Sequence, residues 1–464
     1  MKRRANSAIL TAILLAASVS QGQEQRHSET LSRDTQGAEP VEIGDKSTLQ
    51  DYLRHAALNN AGLKAAFNRW RVAVERIPQA KSLPDPRFNY TYYIEEVETR
   101  VGPQRQKVGI AQMFPWFGKL RLKGNAMAEA AAAARQEYEK AKLALFYRVK
   151  VAYYEYWYLA KAIAVTKEHI RLVANMEGVA RTRFKAGTAP NSSVVQAQVE
   201  LGKLDDRLRT LEALRRPIVA KLNAALNRST QLPLPWPTAL PEFAASFTDA
   251  QAMQWLAASN PELRRLDHLV LKEEAGIKLA KKAYYPDISL GVDYVDTDEA
   301  LNPTTPDSGK DPVMAMVSVN VPIWFGKYRA EEREAHLRMT AAEQERGDAG
   351  KRLEAELELA LYHFRDAKRK VDLYGDTLVP MGRQSLDVAR QGFEAGNVTF
   401  ISLIDAQRLL LEFQLAERLA RSNRGQRLAE IEMLSGNEVG TGPAERRDEG
   451  SETGRMEHDT EEEE

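Results

Sequence analysis

The stretch Phe114-Pro115-Trp116-Phe117-Gly118-Lys119 returns later in the chain as Val321-Pro322-Ile323-Trp324-Phe325-Gly326-Lys327. It is one of four landmarks that recur in the same order, at offsets that rise along the chain from 200 to 202, 208 and 209 residues. The other matches are Asn60 and Leu63 with Asn260 and Leu263, Pro84-Asp85 and Tyr92 with Pro286-Asp287 and Tyr294, and Phe184, Gly187 and Gln198 with Phe393, Gly396 and Gln407. An offset that only rises indicates one duplicated unit with small insertions in its second copy.

Each copy has the same predicted plan, which is one helix, two short strands and then two long helices joined by a glycine turn. The first helix, near 48–80 and 248–283, is predicted to continue unbroken to a Pro-Asp step, where proline ends it. The first long helix is predicted to be continuous in both copies, from Lys119 to Phe184 and from Lys327 to Phe393. A helix of that size is roughly 100 Å long, which no compact globular domain needs.

The duplication also sets the predicted boundaries of the chain. The predicted segments are a signal peptide at 1–22, a flexible leader at 23–46, a first repeat at 47–236 with strands at about 87–114 and long helices at about 119–227, a second repeat at 237–438 with strands at about 287–321 and long helices at about 327–435, and a disordered acidic tail at 439–464.

The predicted strands alternate between apolar and polar residues, so each has one apolar and one wet face. The apolar residues are Phe88, Tyr90, Tyr92 and Ile94 in the first strand and Val313, Ala315, Val317, Val319 and Val321 in the last. Four strands cannot close into a barrel, because the smallest transmembrane barrels use about eight. Closure would therefore require several copies of the chain.

Composition excludes several classes of function. Lys plus Arg equals Asp plus Glu at 65 each, so net charge indicates neither nucleic acid nor an acidic membrane surface as a partner. Cysteine is absent, which excludes disulfides, cysteine catalysis and a cysteine-linked lipid anchor.

The start of the chain carries a compartment signal. Lys2-Arg3-Arg4, an apolar run at 8–17 and small residues after it predict a secretory signal peptide cleaved within 18–23. Nothing later offers the roughly 20 apolar residues of a spanning helix, so a membrane crossing would use strands.

Two glycine-turn motifs complete the pattern, Arg183-Phe184-Lys185-Ala186-Gly187 with Ala197-Gln198 and Gly392-Phe393-Glu394-Ala395-Gly396 with Asp405-Ala406-Gln407. With the duplication, the Pro-Asp steps and the strand pairs, they make residues 47–436 resemble the TolC family of outer-membrane efflux ducts. The resemblance implies a mainly α fold with a small β part. Long helical hairpins and four transmembrane β-strands per chain would trimerise into a 12-stranded β-barrel continued by an α-helical barrel.

Within that family, the Phe-Pro-Trp-Phe-Gly-Lys belt of residues 114–119 resembles the heavy-metal branch, whose members are CzcC- and CusC-like. The absence of cysteine departs from the lipid-anchored members of that branch, so the chain is expected not to be lipidated.

Three groups of residues are candidate functional sites. Aromatic and lysine residues at the strand-to-helix corners suit a membrane-interface belt with snorkelling lysines, or alternatively ordinary core packing. They are Trp116, Phe117, Lys119, Trp324, Phe325 and Lys327. The resemblance implies that the glycine turns are tips that contact an adaptor, the alternative being plain helix caps. The tip residues are Gly187, Thr188, Ala189, Gly396, Asn397 and Val398.

The third candidate is a pore gate at Asp405 and Ser402. The resemblance implies that Asp405 points into the constriction of a closed tunnel, where three copies would form a ring that attracts cations. This chain has Ser402 where the family has a second acid and Val398 where it has a restraining arginine. The alternative is a solvated helix residue. The first copy has Gln196 in place of Asp405, so the second copy is expected to line the gate and the first to brace it.

The resemblance predicts a passive outer-membrane duct of a Gram-negative tripartite efflux or export system, with a large periplasmic part. Its expected partners are two further copies of the chain, a periplasmic membrane-fusion adaptor, an inner-membrane pump of the RND type and outer-membrane lipid. The alternative is a periplasmic coiled-coil structural or adaptor protein without a barrel, which would have no use for outward apolar strands.

The sequence indicates no enzyme, cofactor or metal site. The seven histidines are scattered, and two methionines, Met314 and Met316, are too few soft ligands to indicate copper. The aromatic cluster from Tyr147 to Tyr158 surrounds its helix and is predicted to pack rather than bind a ligand. No nucleophile, base and orienting group occur together.

Overall fold

The computed structural model describes residues 43–237, 240, 247–302 and 304–438. The predicted signal peptide, the acidic tail and all but the last few residues of the leader lie outside the described residues. The helices are α1 (Leu49–Asn59), α2 (Ala61–Lys81), α3 (Lys119–Lys185), α4 (Asn191–Ala225), α5 (Asp249–Ser259), α6 (Pro261–Lys282), α7 (Phe325–Asp372), α8 (Val379–Ala395) and α9 (Phe400–Ser435). The strands are β1 (Arg87–Val97), β2 (Gln104–Phe114), β3 (Ile288–Thr297) and β4 (Val313–Val319). This order confirms the mainly helical, duplicated fold.

The predicted single first helix of each copy is in fact two helices. Asn60 and Asn260 have extended backbones, and each side-chain oxygen accepts a hydrogen bond from the N–H three residues on, at 3.0 Å. Each side-chain amide also donates to the end of the return helix of its own copy, to the carbonyl of Ala225 at 3.0 Å or of Leu434 at 2.7 Å. The asparagine therefore caps the second helix and fixes the break. Apolar spacing continues across the break, which is why periodicity predicted one helix.

The first long helix, α3, spans 67 residues without interruption, as predicted. Its counterpart is interrupted by a π-helical segment, Leu373–Leu378, between α7 and α8. Pro380 lies two residues after this segment. Proline lacks an N–H, and in an α-helix its ring would crowd the carbonyl four residues earlier. A π turn also holds one additional residue, which fits the rise in offset from 208 to 209 between the Trp-Phe motif and the glycine turn.

The four strands form one antiparallel sheet in the order β1-β2-β3-β4. Its register sets the predicted apolar residues side by side, because Phe88 pairs with Ile110, Ile110 with Val292 and Val292 with Ala315. This face is open in the single chain, where Phe88 is 70% exposed. The sheet therefore presents one continuous apolar surface to its surroundings.

The opposite face of the sheet carries polar side chains and is tightly packed where β2 and β3 meet. Lys107 Nζ lies 2.6 Å from Asp293 Oδ2 across β2 and β3. Gly109 leaves the space for this carboxylate, since a Cβ there would lie 1.9 Å from Asp293 Oδ1. The predicted alternation of an apolar and a wet face is confirmed.

The helical core is built along α3, which packs against α2, α4, α6 and α9. Tyr52, Tyr153, Tyr154 and Tyr156 are all buried in one apolar cluster with neighbouring leucines, which confirms that the aromatic cluster packs. In α7 the residues Leu353, Leu357, Ala360, Phe364 and Ala367, spaced three or four apart, are buried as well. None of the helices in the described part of the chain combines the length and the apolar composition needed to cross a membrane.

Candidate functional site

Both predicted tip turns are closed by a glycine with a left-handed backbone. Gly187 has φ +71° and Gly396 has φ +85°, a conformation that glycine adopts without strain. The N–H of Thr188 donates to Arg183 O at 2.9 Å, and the N–H of Asn397 donates to Gly392 O at 2.8 Å, so both turns satisfy the last carbonyls of a helix. Ala189 and Val398 are half-buried, and the other four tip residues are exposed.

The structure brings the two tips together through an arginine that sequence reasoning missed. The Arg183 guanidinium donates a hydrogen bond to the Phe393 carbonyl and lies 5.0 Å from the centre of the Phe393 ring. Phe393 packs edge-on against Phe400 at the start of α9, with ring centres 5.3 Å apart. Phe184 and Phe393 are counterparts in the repeat, and Arg183 directly precedes Phe184. That position was the sequence signal that could have drawn attention to Arg183.

Asp405 and Ser402 lie on the exposed face of α9 near its start. The side chain of Asp405 is 62% exposed. Ser402 is exposed as well; its N–H donates to the Thr399 hydroxyl at 3.3 Å, which caps the helix. The two candidate gate residues therefore share one face, one helical turn apart.

The electrostatics at Asp405 involve a cation and an acid that the sequence analysis did not identify. Arg408 Nη1 lies 3.3 Å from Asp405 Oδ1, and Arg408 Nη2 lies 2.6 Å from Oε2 of Glu200 on α4. The hydrogen bond to buried Glu200 is the main cause that raises the pKa of Arg408. Asp405 is therefore partly compensated within its own chain, through a residue that also ties α9 to the first copy.

Behind this face lies a buried polar group centred on His169 of α3. Its Nε2 lies 2.9 Å from Gln414 Oε1, and its Nδ1 lies 2.9 Å from Gln407 Nε2. These partners fit a neutral ring that donates through Nε2 and accepts at Nδ1. Burial lowers the pKa of His169, and the hydrogen bond to Gln414 opposes it. The repeated Gln407 thus has a structural role, joining α9 to α3 directly below the candidate gate.

The first predicted belt corner is a fully bonded junction between the two copies. Asp287 Oδ1 accepts hydrogen bonds at 2.8 Å from both the Lys119 amine and the Trp116 N–H. The Trp116 ring stacks on Tyr285 with centres 5.4 Å apart. Lys119 is only 12% exposed, so this lysine does not reach out as the snorkelling prediction expected, because Asp287 holds its amine. Phe117 next to it is exposed.

The second belt corner has no such partner. Trp324 and Phe325 are 72% and 55% exposed. Lys327 makes a loose ion pair with Glu331 at 3.7 Å and lies 5.7 Å from the centre of the neighbouring Tyr328 ring, both in its own helix. Asp85, the repeat counterpart of Asp287, makes no hydrogen bond or ion pair within the described part of the chain and is exposed. The two corners thus share a sequence motif but not an environment.

A scan of the residues that the structure describes finds no group of three side chains able to hold a metal ion. The candidate sites are two joined tips, an acidic position on α9 and two aromatic corners.

A protein-family model described as outer membrane efflux protein matches residues 52–228 and 252–437, which are most of the described chain and both copies. Toxin and drug export protein A of Aggregatibacter actinomycetemcomitans is 27% identical over 192 residues, 41% of this chain and 42% of that protein. The cobalt-zinc-cadmium resistance protein CzcC of Cupriavidus metallidurans is 21% identical over 393 residues, 81% of this chain and 87% of that protein.

Solved structures share the fold. A crystal structure of CusC, described in connection with transmembrane channel formation, has a TM-score of 0.71 with 15% identity and covers 86% of this chain and 98% of its own. At this identity the likeness concerns the architecture alone.

Proposed function

The chain belongs to the outer membrane efflux protein family, and we propose that it is a passive duct through which a tripartite system exports its cargo. The observation that carries this proposal is the family match over both copies. It is supported by a sheet with one continuous, exposed apolar face, which suits contact with lipid. A periplasmic coiled-coil protein would have no use for such a face.

The proposed working unit is a trimer in the outer membrane. A sheet of four strands leaves β1 and β4 as unpaired edges, and unpaired edges invite pairing with another chain. Three copies supply twelve strands, enough to close around a pore, with the long helices continuing the pore into the periplasm.

Outer-membrane residence and trimer formation are tested by membrane fractionation and a gel run without heating. We expect the protein in the outer-membrane fraction, with a band near three times the chain mass that collapses to one chain on boiling. A soluble or inner-membrane protein that runs as a single chain would overturn the proposal.

We propose that the joined tips meet a periplasmic adaptor, which connects the duct to an inner-membrane pump of the RND type. The exposed turn residues Gly187 and Gly396 support this role, because they lie at the ends of the hairpins, where a partner has access. Thr188 and Asn397 are solvent-facing positions for a cysteine, in a chain that has none. A photoreactive probe at Thr188→Cys should cross-link to the adaptor in cells, whereas the same probe at an exposed mid-helix residue, Arg209→Cys, should not.

We propose that Asp405 lines the narrow end of the duct, with Ser402 one turn away. Three carboxylates around one axis attract cations, and Arg408 moderates the charge of each. Asp405→Asn in reconstituted trimers is expected to weaken the block of conductance by multivalent cations.

A matched control exists for this test. Asp387 is 61% exposed and lies 3.3 Å from Arg390, three residues on in its helix, the same arrangement as Asp405 and Arg408. Asp387→Asn should leave the cation block unchanged. Equal block in the Asp405→Asn and unsubstituted proteins would remove Asp405 from the gate and leave the duct intact.

The cargo that we propose is metal cations, because the relative whose match spans 81% of this chain is a cobalt-zinc-cadmium resistance protein. The belt motif shared by both copies supports the same branch. Deleting this protein should increase the sensitivity of cells to cobalt, zinc or cadmium more than it increases their sensitivity to organic toxins. Sensitivity to organic toxins alone would reject the metal cargo without rejecting the duct.

A further inference from the structure

One polar contact joins the two copies within the chain, and the duplication provides a second set of the residues that make it. At the complete corner, the Trp116 N–H and the Lys119 amine of the first copy hold Asp287 of the second. The counterparts of these residues are Trp324, Lys327 and Asp85. Within one chain they do not meet.

Asp85 on one side, and Trp324 with Lys327 on the other, are positioned much as their counterparts are in the first contact. Each Pro-Asp step is held by a side chain near the end of the return strand of its own copy. Gln112 Nε2 donates to Pro84 O at 2.8 Å, and Asn320, the residue after β4, accepts through its Oδ1 from the Asp287 backbone N–H. Lys327 is 65% exposed. The Trp324 N–H has no acceptor among the described residues. Asp85 and the Trp324 backbone N–H thus have no partner among the described residues, and Lys327 makes only local contacts, with Glu331 and the Tyr328 ring of its own helix. The acid and the lysine have opposite charges.

We propose that Lys327 and the Trp324 N–H of one chain bind Asp85 of a neighbouring copy, so that the contact between the copies within a chain is repeated between chains. This inference rests on the proposed trimer and specifies its interface.

The strands give an independent register for the same interface. Within the chain, β2 and β3 pair so that Ile110 lies opposite Val292. The extra residue of the second motif, Ile323, comes after Pro322, so Pro115 matches Pro322 and Val317 is the counterpart of Ile110. Tyr90 is the counterpart of Val292. Tyr90 of one chain should therefore lie opposite Val317 of the next. By the same rule Phe88 lies opposite Val319, and the exposed apolar face continues across the boundary without changing sides.

The helices leave matching surfaces next to this corner. In the chain α6 is held between α3 and α7, whereas its counterpart α2 packs mainly on α3. Val72 on α2 and Leu337 on α7 are 53% and 70% exposed. If α7 of one chain packs on α2 of the next, as α3 packs on α6, both faces are covered.

Charge reversal tests the corner. Asp85→Lys or Lys327→Asp alone should lower trimer association by roughly 10-fold at each interface, seen as loss of the unheated trimer band. The double variant Asp85→Lys with Lys327→Asp should restore the band, because the pair is re-formed with opposite orientation. The specificity control is the double variant Asp85→Lys with Lys119→Asp. It should not recover the trimer band, because Lys119 binds Asp287 within its own chain. Rescue by Lys119→Asp, or no rescue by Lys327→Asp, would overturn the assignment.

Cysteine pairs test the register. Tyr90→Cys with Val317→Cys should join chains through a short bis-maleimide in outer-membrane preparations, and Tyr90→Cys with Ser318→Cys should not, because those side chains leave opposite faces. Trimers that cross-link only through the Tyr90→Cys and Ser318→Cys pair would overturn the register but not the proposed duct. Absence of any outer-membrane trimer in the unsubstituted protein would instead reject the proposed function itself.

Discussion

Tyr154 on α3 and Tyr362 on α7 occupy the same place in the two copies, yet the first is 2% exposed and the second 57%. The residues before them, Tyr153 and Leu361, are both buried, so the two helices face their own copies in the same way. Tyr154 is covered because α9 packs on α3 so closely that a Cβ on Gly425 would lie 2.8 Å from the tyrosine Cζ. The counterpart of α9 is α4, which has no extensive packing on α7 in the described chain.

The difference between the two tyrosines lies in the neighbour that each helix has within the described part of the chain, because α3 is covered by α9 whereas α7 has no equivalent cover there. In the proposed trimer, a neighbouring chain would supply that cover. The same explanation applies to the corners at Lys119 and Lys327. Within the chain, α3 of the first copy is surrounded by helices of both copies. α7 of the second copy packs mainly on α6 and α9 of its own copy, and its remaining face is where the proposed trimer would place a neighbouring chain.

The largest effect is expected from removing the two tyrosine rings that are compared. Tyr154→Ala removes a buried ring and should lower the free energy of unfolding by about 3–5 kcal/mol. Tyr362→Ala should change the stability of the single chain by no more than about 0.5 kcal/mol and act on the unheated trimer instead. Thermal unfolding by circular dichroism and unheated gels separate the two. Equal loss of helix stability in both variants would contradict the comparison.

The glycines of the two regions should respond with opposite signs. Gly425→Ala pushes a methyl group into the Tyr154 ring and should cost about 1–3 kcal/mol. Gly347→Ala on α7, where a Cβ would meet nothing within 4 Å, should stabilise its helix by up to about 1 kcal/mol. Denaturant unfolding of both variants gives the difference, and a destabilising Gly347→Ala would indicate that this face is already covered.

His169 gives the junction of α3 and α9 a pH dependence. Burial lowers its pKa below the ordinary 6.5, so the unfolded chain binds the proton more readily than the folded one. Stability is therefore complete above about pH 6.5 and falls as the pH drops toward the folded pKa, by at most about 1.4 kcal/mol per pH unit. The measurement is the unfolding midpoint from pH 7.5 to 5. His169→Gln should flatten this part of the profile, and an unchanged slope would show that another group titrates.

The smallest effect is expected at the tips. Arg183→Ala removes the hydrogen bond and the ring contact to Phe393 and should loosen the second tip by about 1 kcal/mol. Faster hydrogen exchange at the Gly396 and Asn397 amides would report it. Arg181→Ala is the control, because Arg181 pairs with Glu177 of its own helix and should leave those amides protected.

Much of the fold could be predicted because repetition strengthens weak local signals. One strand or one glycine turn is ambiguous, but Tyr92 with Tyr294 and Gly187 with Gly396 indicate the same element twice. The breaks at Asn60 and Asn260 were missed although they also recur. Asparagine also occurs inside helices, and the carbonyl that holds each side-chain amide in place lies more than 160 residues away in the chain.

The candidate sites were less predictable because their chemistry joins distant segments. Lys119 and Asp287 both lie in recognised motifs, but no local pattern states that one copy's lysine binds the other copy's acid. Arg408 was within reach, since it lies three residues after Asp405 on one helix face. Arg183 and Glu200 required knowledge of which helices touch.

The π-helical segment at 373–378 has a consequence for the orientation of the second hairpin. One residue added to an α-helix rotates everything beyond it by about 100°, because the helix has 3.6 residues per turn. Phe393 would then turn away from Arg183, and Leu386 would leave the core that it shares with Leu410. By widening a single turn, the helix absorbs the extra residue where it occurs, and both tips keep their angular alignment although one arm is a residue longer.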